Sequence, residues 1–142
     1  MSNPIEILLV EDNPADIRLT QEAFATNKIY NKLHVVVDGE QALDFLHRRH
    51  AYSSAPRPDV VLLDLNLPKI HGLEVLKEMK GDSSLRRIPV ICLTTSGNDS
   101  DIDKAYSIGA NAYVQKPVDF PQFVKALEAI ETFWLSIVKL AP

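Results

Sequence analysis

The chain has 142 residues, a formal net charge of −4, 46% hydrophobic residues and 24% charged residues, which is typical of one ordinary domain with an apolar core. No apolar run reaches the ~20 residues of a membrane-spanning helix, and no basic stripe of the kind that binds nucleic acid is present. The chain starts without the basic and apolar segments of a secretory signal, and its single cysteine, Cys92, excludes an internal disulfide. We therefore expect a cytoplasmic protein that binds neither membranes nor nucleic acid.

Short apolar segments alternate with amphipathic ones along the chain. In chain order we predict strand 5–10, helix 16–26, strand 33–37, helix 40–49, a loop at 51–58, strand 60–63, a helix marked by apolar residues from 73 to 79, strand 89–93, helix 101–108, strand 112–114 and helix 119–140. Gly109 is suited to end the fourth helix in the left-handed conformation, and Asp119 is suited to cap the last one. The unbroken apolar strands are typical of strands buried on both faces. Five strand–helix units in succession predict an α/β fold, a doubly wound parallel sheet with helices on both faces.

Polar side chains follow the predicted strands at the edge where open parallel sheets bind their ligands. In chain order these residues are Glu11 and Asp12, Asp64 with Asn66 just beyond it, Thr94 and Thr95, and Lys116. If the first and third strands are neighbours, three carboxylates converge, and without a compensating cation their mutual repulsion costs several kcal/mol or forces protonation. Mg²⁺ suits such a site because it binds one or two carboxylates together with a carbonyl, waters and a phosphoryl oxygen.

The same residues predict a phosphoacceptor. Phosphoryl transfer depends mainly on positioning and on neutralising the charge of the equatorial oxygens. Mg²⁺, Lys116 and the Thr94 hydroxyl would neutralise that charge while Asp64 acts as the nucleophile. Each residue alone also has an ordinary explanation, since Asp12 suits a helix cap and Lys116 a surface position. The complete set at one edge of the sheet favours the chemical interpretation.

Four short motifs resemble those of the receiver domain of two-component response regulators, over a match that runs from residue 5 to the final helix. The motifs are Val10-Glu11-Asp12-Asn13, Leu63-Asp64-Leu65-Asn66-Leu67-Pro68, Leu93-Thr94-Thr95-Ser96 and Tyr113-Val114-Gln115-Lys116-Pro117. The resemblance implies a flavodoxin-like five-stranded sheet of order 2-1-3-4-5, with five helices, in three α/β/α layers. Because only a few residues follow the final helix, we expect residues 1–142 to be a single receiver domain without an output domain.

The resemblance assigns roles to the residues of the acidic edge. It implies that Asp64 accepts a phosphoryl group from a phosphohistidine of a sensor histidine kinase. It implies that Asp12 and Asp64 are Mg²⁺ ligands, that Glu11 assists through water, and that the backbone carbonyl of Asn66 is a further ligand.

The resemblance also implies a conformational switch. Thr94 and Tyr113 correspond to the switch pair of the family, in which the hydroxyl turns toward the phosphoryl group and the ring moves inward behind it. Lys116 corresponds to the lysine that pairs with the phosphoryl oxygens. A cis peptide bond commonly precedes the residue that corresponds to Pro117.

Two features depart from the common receiver pattern. His71 stands before Gly72, where the family often has an acidic residue, and the 51–58 connection is longer than in minimal receivers. The long loop, the Thr94-Thr95-Ser96 sequence and the Phe133-Trp134-Leu135 ending resemble single-domain regulators of bacterial, cyanobacterial-type phytochromes. We therefore expect a phytochrome-like kinase as the phosphoryl donor.

The last predicted helix has apolar residues on more than one face. One stripe consists of Phe120, Phe123, Leu127, Ile130, Trp134 and Ile137, and further apolar residues on other faces are Phe133, Leu135, Val138 and Leu140. A single sheet covers only one helix face, which favours a homodimer that uses the fourth and fifth helices and the fifth strand. The alternative is a tail that bends back over its own domain. His47 and His50 lie three residues apart without an evident third metal ligand, and His34 has no evident partner.

Two other functions fit the same architecture. A phosphatase of the haloacid dehalogenase type uses Asp-x-Asp-x-Thr, but Asn66 stands where its second acid would be, so we expect only slow self-dephosphorylation and no enzyme turnover. A flavodoxin-like cofactor binder would offer hydroxyl groups, glycine and backbone N–H groups to a phosphate. The sequence Glu11-Asp12-Asn13-Pro14 offers carboxylates and a proline instead.

Overall fold

In the computed structural model, which describes residues 3–26 and 30–142, five parallel strands form one sheet in the order β2-β1-β3-β4-β5. The strands are β1 (Ile5–Val10), β2 (Asn31–Val36), β3 (Val60–Leu63), β4 (Val90–Thr94) and β5 (Ala112–Gln115). Beside β1, Val10 pairs with Leu63 of β3, and at the other side of the sheet Thr94 of β4 pairs with Gln115 of β5. The predicted flavodoxin-like strand order is confirmed.

Within the described residues, four α-helices connect these strands and a fifth follows β5: α1 (Pro14–Ala25), α2 (Gly39–His47), α3 (Gly72–Gly81), α4 (Asp99–Ile108) and α5 (Phe120–Glu131). α1 begins two residues before the predicted start because Asn13 caps it, accepting a hydrogen bond from the Asp16 amide at 3.0 Å. The predicted end of α4 at Gly109 is confirmed, since Gly109 follows the helix with a φ of 130°. The predicted cap of α5 is also confirmed, since the Asp119 side chain accepts a hydrogen bond from the Gln122 amide.

The core consists of two apolar layers, one on each face of the sheet. Successive side chains of β1 belong to different layers. Leu8 packs in the layer under α2, α3 and α4, and Ile7 packs in the layer under α1 and α5. Phe24 of α1 and Leu127 of α5 close the second layer. The arrangement confirms three α/β/α layers and leaves the carboxyl ends of the strands uncovered as the place for a site.

The last helix differs from its prediction. α5 ends at Glu131, and residues Thr132–Ile137 continue as a π-helix rather than as α-helix to residue 140. The wider turn shifts the angular spacing of side chains, so the apolar stripe is buried at Leu127 but Ile137 is 64% exposed. Phe120, at the other end of the stripe, is 58% exposed.

The predicted loop at 51–58 overlaps a 3₁₀ turn, His50–Tyr52, whose Tyr52 ring lies 5.5 Å from the ring of Phe45.

His34, expected to lack a partner, instead lies 2.6 Å from a carboxylate oxygen of Glu6 on the neighbouring strand β1. Because parallel strands are in register, a side chain on β2 can meet one on β1 that is distant in sequence. None of the helices in the described part of the chain has the length and apolar character needed to cross a membrane.

Candidate functional site

The candidate site lies at the carboxyl ends of β1, β3 and β5. The pairing of Val10 with Leu63 places the next residues, Glu11 and Asp64, side by side, and the Asp64 amide donates to the Val10 carbonyl at 3.0 Å. Lys116 follows β5, and its amide donates to the Thr94 carbonyl at 2.7 Å. The parallel ladders thus bring three charged residues from distant parts of the sequence to one edge of the sheet.

Three carboxylates form an acid cluster at this edge. Glu11, Asp12 and Asp64 each offer a carboxylate oxygen, and these atoms all lie within 4.8 Å of one another. Glu11 and Asp64 are buried, whereas Asp12 is exposed and open to solvent. Burial is the main cause that raises the pKa of the Glu11 carboxyl above its ordinary value of 4.5, although Lys116 opposes the shift. Such a set of hard oxygen donors fits a divalent cation such as Mg²⁺ or Mn²⁺.

Lys116 supplies the positive charge of the site. Its Nζ donates to Glu11, to Asp64 Oδ2 at 3.2 Å and to Asp16 Oδ2 at 2.9 Å. Burial alone would lower the pKa of Lys116. The interactions of its ammonium group with Glu11, Asp16 and Asp64 outweigh the effect of burial and raise the pKa. The lysine is therefore charged at neutral pH, and its long side chain crosses the end of β4 to reach β1 and β3.

The backbone around Asp64 is closely fitted. The Asn66 amide donates to Asp64 Oδ1 at 3.1 Å, which leaves Oδ2 as the oxygen that faces Lys116. Gly72, the first residue of α3, lies so close that a Cβ there would be 2.4 Å from the Asp64 carbonyl oxygen. A glycine at this position lets α3 start directly against the segment that carries Asp64.

The two predicted switch residues, Thr94 at the end of β4 and Tyr113 within β5, both hydrogen-bond to Ser96. Thr94 is fully buried and its Oγ1 accepts from the Ser96 amide at 3.5 Å. Half-buried Tyr113 donates its hydroxyl hydrogen to the Ser96 carbonyl at 2.8 Å. Burial is the main cause that raises the pKa of the Tyr113 hydroxyl. The Ser96 hydroxyl in turn donates to Asp101 Oδ2 of α4 at 2.7 Å.

The structure adds one residue to the site and changes two expectations. Asp16, predicted only as the start of a helix, contacts Lys116. Its position four residues after Asp12, on the first turn of α1, is the sequence feature that could have pointed to it. Asn13 rather than Asp12 caps α1, which leaves the Asp12 carboxylate free for the acid cluster. No cis peptide bond occurs among the described residues, so the bond before Pro117 is trans, the form that X–Pro bonds favour by about 0.5–1 kcal/mol.

These residues and their arrangement agree with one protein family. Over residues 7–128 the sequence matches the response regulator receiver domain. The chain belongs to this family. Receiver domains are signalling modules of two-component systems, and they bind Mg²⁺ or Mn²⁺ in an acidic pocket of the kind formed here by Glu11, Asp12 and Asp64.

This receiver domain is similar in sequence and structure to response regulators that include one of a cyanobacterial phytochrome. Response regulator Rcp1 of Synechocystis sp. is 46% identical over 140 residues, which cover 98% of this chain and 95% of Rcp1. The crystal structure of the Mn²⁺-bound form of Rcp1 superposes with a TM-score of 0.96 at 45% identity, and the match covers 98% of this chain and 100% of the chain in that crystal structure. The phosphorylated cyanobacterial phytochrome response regulator RcpA also has a TM-score of 0.96, at 45% identity, and covers 99% of this chain and 100% of RcpA.

Proposed function

We propose that this receiver domain is a phosphoacceptor switch in which Asp64 takes a phosphoryl group from a phosphohistidine of a sensor histidine kinase. The observation that carries the proposal is the buried Asp64 carboxylate, which contacts the Lys116 ammonium and lies within 4.8 Å of carboxylate oxygens of Glu11 and Asp12. The similarity to Rcp1 and to the phytochrome response regulator RcpA supports a phytochrome-type kinase as the donor. The proposed place of action is the cytoplasm.

In the proposed reaction a carboxylate oxygen of Asp64 attacks phosphorus. The new O–P bond forms as the P–N bond to the histidine breaks, and the imidazole nitrogen keeps the electron pair and takes up a proton. Glu11, Asp12, Asp64 and the Asn66 carbonyl would hold Mg²⁺, which would neutralise charge on the transferred group.

Lys116 and Thr94 act on the product of that reaction. The Lys116 ammonium exchanges its contact with Asp64 Oδ2 for a phosphoryl oxygen. The Thr94 hydroxyl, whose contact with the Ser96 amide is long at 3.5 Å, turns toward the phosphoryl group, and Tyr113 moves inward behind it. The face of α4, β5 and α5 then changes its affinity for a partner.

The geometry favours a switch over a phosphatase. A phosphatase needs a general acid near the nucleophile, and Asn66, two residues after Asp64, presents an amide instead. We infer that the protein catalyses only its own phosphorylation and a slow self-dephosphorylation. For a flavodoxin-like cofactor, the carboxylates of Glu11 and Asp12 would repel the phosphate.

A groove beside the site suits the docking of the kinase. It has a volume of about 300 Å³, and Lys116, Pro117 and Phe120 contribute to its lining. Val118 is fully exposed and Phe120 is 58% exposed, although both are large apolar side chains. Exposed apolar groups next to a reactive carboxylate fit a transient protein partner that brings its phosphohistidine to Asp64.

We further propose that this receiver domain forms a homodimer through α4, β5 and α5. Tyr106 of α4 and Phe133 and Ile137 of the π-helix are each at least half exposed, which supports this surface. Sedimentation should show a dimer at micromolar concentration. A strict monomer at high micromolar concentration, with and without phosphorylation, would contradict the dimer but not the chemistry at Asp64.

Acetyl phosphate tests the proposed chemistry directly. The protein is incubated with Mg²⁺ and acetyl phosphate, and its intact mass is measured beside an Asp64→Asn control. We expect one added phosphoryl group that requires Mg²⁺ and is absent from the control. If beryllofluoride with Mg²⁺ also fails to bind and no adduct is found, the protein is not a phosphoacceptor.

A further inference from the structure

Asp16 is a partner of Lys116 to which the proposed reaction assigns no role. Asp16 Oδ2 accepts a hydrogen bond from Lys116 Nζ at 2.9 Å, and the Asp16 side chain is only 15% exposed. An ammonium group has three N–H donors. Here the three donors meet three carboxylates, those of Glu11, Asp16 and Asp64.

Asp16 differs from the other two partners in its relation to the acid cluster. Glu11 and Asp64 belong to the cluster of oxygens that lie within 4.8 Å of one another, and Asp16 does not. A divalent cation in that cluster would compete with Lys116 for Glu11 and Asp64, because each carboxylate oxygen can serve either cation. Asp16 is therefore the carboxylate that stays available to Lys116 when the metal is bound.

The backbone of Asp16 is held firmly enough to act as an anchor. Its amide donates to the capping side chain of Asn13 at 3.0 Å, and its carbonyl accepts from the Thr20 hydroxyl at 2.7 Å. Both contacts lie in the first two turns of α1, which packs on the sheet through Phe24. A carboxylate on a capped and packed helix keeps its position while the groups around Asp64 rearrange.

We propose that Asp16 is a positioning residue for phosphoryl transfer. It retains one N–H of Lys116 in the metal-bound and phosphorylated states, and so aims the other N–H groups at Asp64 before transfer and at the phosphoryl oxygens after it. The inference rests on the proposed function of Asp64, and it adds to that function the residue that holds the lysine in place.

Phosphorylation kinetics test this role. Rates with acetyl phosphate and saturating Mg²⁺ are measured by intact mass for wild type, Asp16→Asn, Asp16→Glu and Glu22→Gln. Glu22→Gln is the matched control because it removes the same charge from an exposed position on the same helix. We expect the rate at saturating donor to fall about tenfold in Asp16→Asn, the scale of one charge-assisted hydrogen bond, with the half-saturating donor concentration unchanged.

Two results would overturn the proposal. An unchanged rate in Asp16→Asn would show that Lys116 needs no anchor, and a faster rate would show that Asp16 acts mainly by repelling the donor. Partial recovery in Asp16→Glu, with circular dichroism melting curves matching those of the control, would separate positioning from loss of fold.

A second measurement tests the anchor without phosphorylation. The ¹⁵N signal of the Lys116 ammonium group, assigned with Lys116→Arg, is followed in the presence of Mg²⁺. We expect slow proton exchange in wild type and in Glu22→Gln, and fast exchange in Asp16→Asn. Equal exchange in all three would refute the role of Asp16 even if the kinetics failed for lack of an adduct. Absence of an adduct on wild type would count against Asp64 instead.

Discussion

Replacing Lys116 by methionine should destabilise the protein by an amount that depends on pH and on Mg²⁺. The variant removes a cation that is only 5% exposed and leaves the buried carboxylates of Glu11 and Asp64 without their counter-ion. Breaking a buried ion pair from one side costs about 3–5 kcal/mol. We expect about 3 kcal/mol at pH 8, the lower end of that range, because removing the Lys116 ammonium, which lines the neighbouring groove, would let water approach the carboxylates.

The pH dependence follows from the protonation of Glu11. Burial raises the pKa of this carboxyl above its ordinary value of 4.5, so the folded protein binds the proton more tightly than the unfolded chain does. Without Lys116 the pKa rises further, since the lysine opposes the shift in wild type. As the pH falls from 8 to 5, Glu11 becomes neutral in the folded variant, and part of the lost stability returns. Saturating Mg²⁺ should likewise restore stability at pH 8 because it binds only the folded state.

Urea unfolding measures both effects. With a urea m-value of about 2 kcal/mol/M, a loss of about 3 kcal/mol lowers the midpoint by about 1.5 M at pH 8. The exposed Lys104→Met is the control and should move the midpoint little. A Lys116→Met midpoint within about 0.5 M of wild type, or a loss of stability that is the same at pH 5 and pH 8, would refute the electrostatic account.

Three further experiments test the switch, the docking groove and the packing. Tyr113→Ala should keep phosphorylation by acetyl phosphate and lose the phosphorylation-dependent partner response; Tyr113→Phe, which lacks only the hydroxyl bonded to Ser96, should lose less. Loss of the adduct itself would contradict this division of roles. Phe120→Ala should slow transfer from a phosphorylated kinase several-fold but not from acetyl phosphate, and an equal effect on both donors would argue against a docking role. Gly72→Ala should lower the free energy of unfolding by about 2 kcal/mol through overpacking, because the added Cβ would lie 2.4 Å from the Asp64 carbonyl oxygen. Gly81→Ala is the control: a Cβ there meets open space, so the same urea titration should show little loss of stability.

Most of the fold could be predicted from the apolar pattern of the strands. Buried parallel strands are continuous apolar runs, so β3 (Val60–Leu63) was placed correctly to the residue, and the acids that follow the strands were found by the strand-end rule. Helix starts were less accurate at α1 and α4. Their caps, Asn13 and Asn98, lie in polar stretches where several residues could cap equally well.

Two features could not be read from the pattern. The contact of Asp16 with Lys116 joins residues 100 positions apart. The local sequence pattern does not indicate that a side chain on α1 will contact a lysine that follows β5. The π-helix at Thr132–Ile137 was predicted as α-helix because the apolar residues around Trp134 continue the α-helical spacing. Hydrogen-bond register, rather than hydrophobicity, distinguishes these two helices.

The contacts of Ser96 have a thermodynamic consequence for signalling. Ser96 forms hydrogen bonds with Thr94, Tyr113 and Asp101 of α4. A movement of Thr94 therefore reaches Tyr113 and α4 through this one residue. With Thr94 and Tyr113 as the proposed switch pair, a ligand that prefers one position of α4 biases the site at Asp64. Linkage makes this coupling reciprocal: the factor by which phosphorylation strengthens partner binding is the factor by which the bound partner favours the phosphorylated form. The abundance of the partner would therefore help to set the level of phosphorylation reached at a given kinase activity.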